Sequence, residues 1–170
     1  TRKALSSLHD VFSIEKPDLV LVHGDTTTSF VAALAAFYLH IPVGHVEAGL
    51  RTYDIHSPFP EEFNRQATGI IAKYNFAPTE DSRQNLIREG KDPNNIYVTG
   101  NTSIDALKQM INPEFHHEYL DWIEDNRLIL LTAHRRENLG QPLVNIFKAI
   151  VRITEQVKDI KVLYPIHLNP

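Results

Sequence analysis

Two acid–imidazole pairs stand out in this sequence because each spans two positions. His23 and Asp25 lie in HGDTTT (23–28), and His45 and Glu47 lie in HVEAGLRT (45–52). In extended backbone, residues i and i+2 project to the same side. Two adjacent strand ends would then offer two imidazoles and two carboxylates to one crevice. A second acidic pair, Glu61 and Glu62, sits in SPFPEEFNR (57–65), and His134 leads Arg135, Arg136 and Glu137 in TAHRREN (132–138). Carboxylates at 25, 47 and 61 are suited to moving a proton. The cationic 134–136 run, followed by Leu139-Gly140 and a helix start, is suited to holding an anion.

Two other assignments compete with acid–base chemistry. In a structural one, Asp25 or a neighbouring threonine caps a helix, the histidines bond backbone at strand ends, and Glu61 pairs with Arg65 four residues on. In a metal-centred one, the His/Asp/Glu cluster binds zinc or a metal pair for phosphate-ester hydrolysis. The His-Glu-x-x-His signature is absent, as are Gly-x-Gly-x-x-Gly and a Walker Gly-Lys-Ser/Thr run. A P-loop or nicotinamide mechanism therefore has no support.

The elements needed to position these residues are readable from apolar runs and their punctuation. Short strands are expected at 19–22, 43–46, 75–77, 96–98, 128–131 and 160–164. Helices are expected at 2–14, 30–39, 61–73, 79–89 and 102–111, a weaker one at 116–124, and a long one from Pro142 to about 157. Gly90 should stop the fourth helix. This alternation predicts an α/β protein with doubly wound parallel sheets. Ligands of such sheets sit beyond the carboxyl ends of the strands, where the polar clusters at 23–25, 45–47, 134–137 and 167 fall. A break at Thr99–Asn101 suggests that one such domain ends near 100 and another begins at 101.

Composition sets the outer bounds. The 170 residues are 42% hydrophobic and 22% charged, with a net charge of −4 spread along the chain. That describes a soluble globular protein without a nucleic-acid or membrane surface. No apolar run approaches the roughly 20 residues that span a bilayer. Cysteine is absent, which excludes disulfides and thiol chemistry and suits a reducing compartment, here the cytoplasm. The chain opens inside a helical pattern and stops just after a strand, so it reads as an internal fragment.

Six strings, HGDTTT, HVEAGLRT, SPFPEEFNR, TGNTSIDAL (99–107), TAHRREN and YPIHLNP (164–170), closely resemble the bacterial non-hydrolysing UDP-N-acetylglucosamine 2-epimerases. Family members are about twice this long. The resemblance implies a glycosyltransferase-B-like fold of two Rossmann-like domains, only part of each present: residues 1–100 from the N-terminal one and 101–170 from the second. It implies reversible epimerisation at C2 of UDP-N-acetylglucosamine to UDP-N-acetylmannosamine, by elimination and re-addition of UDP, in the service of surface-polymer synthesis. It implies no nicotinamide, no catalytic metal and a homodimer. Carried over by position, Asp25, Glu47 and Glu61 match the catalytic carboxylates and His134 the essential histidine, with Asp25, Glu47 and His134 also on the substrate. Arg135 and His167 match contributors to a second, activating UDP-N-acetylglucosamine site. The chain alone is expected to be inactive. Two alternatives are a metal-dependent phosphohydrolase and a catalytically dead nucleotide-sugar-binding module.

Overall fold

The structure is a computed structural model, described over residues 1–134 and 138–166. It consists of two compact units, residues 1–111 and 112–170. In the first, α1 (Arg2–Glu15), β1 (Val20–His23), α2 (Thr27–Tyr38), β2 (Val43–Val46), α3 (Glu61–Ile71), β3 (Tyr74–Ala77), α4 (Glu80–Arg88), β4 (Ile96–Val98) and α5 (Thr102–Met110) follow in order. The four strands pair in parallel in the order β1-β2-β3-β4.

Register explains the core. Val20 pairs with Val43, and Val22 lies level with His45, which lies level with Asn75. Residues level across a parallel sheet share a face, so these side chains point to one side. There Val20, Val22 and Val43 pack against Ala33 and Ala36 of α2 and Ala72 at the end of α3. Ala77 and Ile96 pack with Ala48 and with Leu86 of α4. The small residues of α2 let the helix lie close to the strands. On the opposite face Leu21 is 60% exposed, and Tyr97, stacked on Phe76 at 5.6 Å, is 46% exposed. The unbroken apolar run of β1 is thus buried on one face in this chain, at Val20 and Val22.

Helix ends follow local chemistry. The Thr26 side chain accepts from the Ser29 N–H at 3.2 Å, so α2 begins three residues earlier than its apolar pattern suggests, and a threonine caps it in place of Asp25. At the end of α4, Gly90 N–H donates to the Ile87 carbonyl and Lys91 N–H to that of Leu86. That is the Schellman arrangement expected for a glycine stop.

The second unit contains α6 (Glu118–Ile123), β5 (Arg127–Leu130), α7 (Gln141–Gln156) and β6 (Ile160–Leu163), with β5 and β6 parallel. Pro142 lies in the first turn of α7 as expected. Arg127 grips Asp159 through two hydrogen bonds of 2.9 and 2.8 Å. Phe147 of α7 meets Tyr164 edge-on at 5.4 Å, and the Tyr164 hydroxyl donates to the Ala133 carbonyl, one residue before His134. Among the described residues, no helix is long and apolar enough to cross a membrane.

Candidate active site

The site is built where β1 and β2 end. Past β1 the chain turns through Gly24 at φ +69°, and the Gly24 N–H donates to the Val46 carbonyl at 2.9 Å. The two strand-end turns therefore touch. Glu47 follows β2 at φ +66°, left-handed geometry that a side-chain-bearing residue adopts at a cost. Its carboxylate oxygen Oε2 lies 3.3 Å from where a Cβ on Gly24 would stand. Gly24 thus leaves room for Glu47 beside the backbone that carries Asp25.

The left-handed step at Glu47 overturns the expectation that His45 and Glu47 share a direction. Strand geometry ends between them. Glu47 is half-buried, while His45 is fully buried and its Nε2–H donates to the Gly24 carbonyl at 2.8 Å. Burial, the largest effect, pushes the His45 pKa down to about 4. The Gly24 bond and Asp25 oppose that shift, and Arg51 and His23 reinforce it. His23 is exposed and bonds the Thr102 hydroxyl at 3.1 Å.

A neutral buried imidazole has a consequence for stability. The unfolded His45 protonates near 6.5 and the folded one near 4. Between these values the unfolded chain holds more protons, so stability falls as pH falls. The stabilisation is complete above about 6.5, and its loss by pH 4 amounts to roughly 3 kcal/mol. Urea unfolding at pH 7 and pH 4.5 should show a falling midpoint, with a shallower fall in His45→Gln. Equal slopes in both proteins would remove His45 as the cause.

Helix α3 closes the third side. Asn64 Nδ2 donates to the Asp25 carbonyl at 2.9 Å. Arg65 Nε lies 3.7 Å from Asp25 Oδ2 and 3.4 Å from Glu62 Oε2. Arg65 therefore serves Asp25 and Glu62, three residues back, rather than the Glu61 partner expected from spacing. Glu62 is the fully buried member of the acidic pair. Burial raises its pKa, but hydrogen bonds from Gln66 and the backbone of Thr52 and Tyr53, together with Arg65, outweigh it and hold the pKa below normal. Glu61 begins α3 half-buried, in the turn that carries Asn64 and Arg65.

The Glu47 carboxylate and the turn that carries Asp25 are thus neighbours through Gly24, and Asn64 and Arg65, in the helix turn that Glu61 opens, reach Asp25. His134 is exposed and follows β5 in the second unit. Arg135 and His167 lie outside the described residues. Among the described residues, no group of three or more His, Asp or Glu side chains is arranged to hold a metal ion.

Sequence reasoning left Glu62, Asn64 and Arg51 without roles. The Arg51 side chain is 1% exposed, forked onto Glu89 by bonds of 2.7 and 2.8 Å, and donates to the Leu50 carbonyl. The signal for Glu62 was its spacing to Arg65 and Gly69, which places all three along the inner stripe of α3.

Parallel strands alternating with helices define the class, a Rossmann-like α/β protein, and Asp25 and Glu47 lie just past the carboxyl ends of β1 and β2, the edge at which ligands of this class sit. The particular family follows from the sequence as a whole. The chain belongs to the UDP-N-acetylglucosamine 2-epimerase family, whose model matches residues 1–170. It is 56% identical to the UDP-N-acetylglucosamine 2-epimerase of Bacillus subtilis, covering 100% of this chain and 45% of that protein. The structure of S. aureus MnaA with UDP shares 50% identity and a TM-score of 0.96, over 99% of this chain and 46% of that one. The Neisseria meningitidis UDP-GlcNAc 2-epimerase bound to UDP-GlcNAc shares 46% identity and a TM-score of 0.87, over 98% and 47%. The chain spans about half the length of the relatives it matches, and its fold is the corresponding part of their glycosyltransferase-B-like architecture.

Proposed function

We propose that the whole protein interconverts UDP-N-acetylglucosamine and UDP-N-acetylmannosamine. The observation that carries this reading is the placement of Asp25 and Glu47 at touching strand ends, within a chain similar throughout to epimerases. A base removes the C2 proton as the C1–O bond breaks, giving a 2-acetamidoglucal and UDP. Protonation of C2 on the other face and return of UDP to C1 complete the inversion. Work on both faces needs more than one proton-exchanging group, which suits Asp25 and Glu61, with Glu47 at the sugar hydroxyls or in a relay. His134 attends the departing phosphate, where a positioned hydrogen-bond donor stabilises the charge that develops.

Residues 1–100 are assigned to the first Rossmann-like domain and 101–170 to the start of the second. Arg135 and His167 are assigned to a second UDP-N-acetylglucosamine site that activates a cytoplasmic homodimer. The product would supply a cell-surface polysaccharide or teichoic-acid pathway.

The test uses the full-length protein with UDP-N-acetylglucosamine in D2O containing excess EDTA, followed by NMR. The C2 epimer with deuterium at C2 supports the proposal. Phosphate release abolished by EDTA would point to a metal-dependent hydrolase, and binding without turnover to a non-catalytic module.

A further inference from the structure

Three consecutive carbonyls in the turn that carries Asp25 each accept a hydrogen bond from a side chain of a different element. The His23 carbonyl accepts from Ser29 Oγ of α2 at 2.6 Å, the Gly24 carbonyl from His45 Nε2 of β2 at 2.8 Å, and the Asp25 carbonyl from Asn64 Nδ2 of α3 at 2.9 Å. Ser29 also belongs to the cap of its own helix. His45 and Asn64 have no such local duty. They reach the turn from 21 and 39 residues away and are 0% and 3% exposed.

From this we infer that His45 and Asn64 are positioning residues for Asp25, clamping the peptide units on either side of its Cα so that its carboxylate is fixed beside Glu47. The inference rests on the epimerase reading of the site. An apolar residue at 45 would serve the core as well, since the position is level with Val22 on the packed face of the sheet. The imidazole is a poor core residue there. Its Nδ1 is buried without a hydrogen-bond partner among the described residues, as are both amide atoms of the neighbouring Asn75. Such orphans cost stability, and among the described residues the bond to Gly24 is the only one the His45 side chain makes in return. With all three carbonyls occupied, the turn has little freedom to shift the Asp25 side chain. Reacting groups tolerate little misplacement, because errors of about 1 Å can cost on the order of 10²-fold in rate.

The test compares His45→Leu, His45→Gln and Asn64→Leu in the full-length enzyme. A Gln amide can reproduce a donor near the imidazole Nε2 position. His45→Leu and Asn64→Leu should lower kcat per folded molecule by about ten- to a hundred-fold, with KM for UDP-N-acetylglucosamine changed less than about twofold. His45→Gln should recover most of the rate. Amide hydrogen exchange at Gly24 to Thr26 should quicken in both Leu variants and remain slow in His45→Gln. A merely structural role would move stability and leave kcat per folded molecule alone. Wild-type kcat in both Leu variants, or a His45→Gln enzyme as slow as His45→Leu, overturns the inference. If the wild type itself performs no epimerisation, the functional reading fails on that control, and the exchange data still decide whether the clamp exists.

Discussion

Replacing Asp25 by Asn, or Glu47 by Gln, should lower epimerisation by the full-length enzyme by about 10²–10⁴-fold, the usual worth of a general acid or base. Each substitution is nearly isosteric and removes a charge and a proton-accepting oxygen. Asp25 is anchored at its backbone by Asn64 and faced by Arg65 at 3.7 Å, so loss of its charge should leave the turn in place. Glu47 sits against Gly24, where a Cβ would meet its Oε2 at 3.3 Å, and Gln has the same shape. Binding of UDP, measured by calorimetry, should therefore survive in both variants. Solvent-deuterium exchange at C2 separates their roles. A residue that moves the C2 proton takes exchange and kcat down together with KM for UDP-N-acetylglucosamine little changed, whereas one that only holds the sugar raises KM and leaves exchange at saturating substrate near the wild-type rate. Near-wild-type turnover in Asp25→Asn would return that residue to a structural role.

The strand ends were legible because an apolar run followed by a polar cluster has few other meanings in an α/β chain. Val20 to Val22 and Val43 to Val46 fall where expected, and Gly90 stops α4 as its position predicts. What escaped depends on tertiary direction. The spacing of His45 and Glu47 implies a shared face only if the backbone stays extended, and Glu47 leaves the β region for φ +66°. Nothing local announces that step, since left-handed geometry is not intrinsic to glutamate. Glu61 and Glu62 are chemically identical, and only the packing of α3 decides that Glu62 goes inward and Glu61 stays half-exposed. Arg51 has no role assigned by the sequence, because its partner Glu89 comes within 2.7 Å only through the placement of the end of α4.

Gly49→Ala should be among the most damaging small substitutions in the chain. Gly49 lies at φ +86°, and a methyl there would be driven into the backbone carbonyl oxygen of Ser82, with the carbonyl carbon at 2.8 Å and Leu86 Cδ1 at 3.0 Å. Ser82 lies in the first turn of α4, held by the Thr79 cap, and Leu86 is fully buried, so neither can yield cheaply. The left-handed backbone costs about 1–2 kcal/mol and the overpacking about 1–3 kcal/mol, together a large part of a typical domain's stability. Gly90→Ala supplies the control, because Gly90 has φ +81° but open space around it. It should lose only the backbone contribution. A urea midpoint that drops far more for Gly49→Ala than for Gly90→Ala would assign the difference to close packing, and equal drops would refute that assignment. The packing also bears on catalysis. Asn85 Nδ2 donates to the Gly49 carbonyl at 3.0 Å, and the Ala48 N–H donates to the Phe76 carbonyl. The segment just after Glu47 is thereby fastened to α4 and β3. Displacing it would carry the Glu47 carboxylate away from Gly24, so the fraction of Gly49→Ala that still folds should also turn over more slowly.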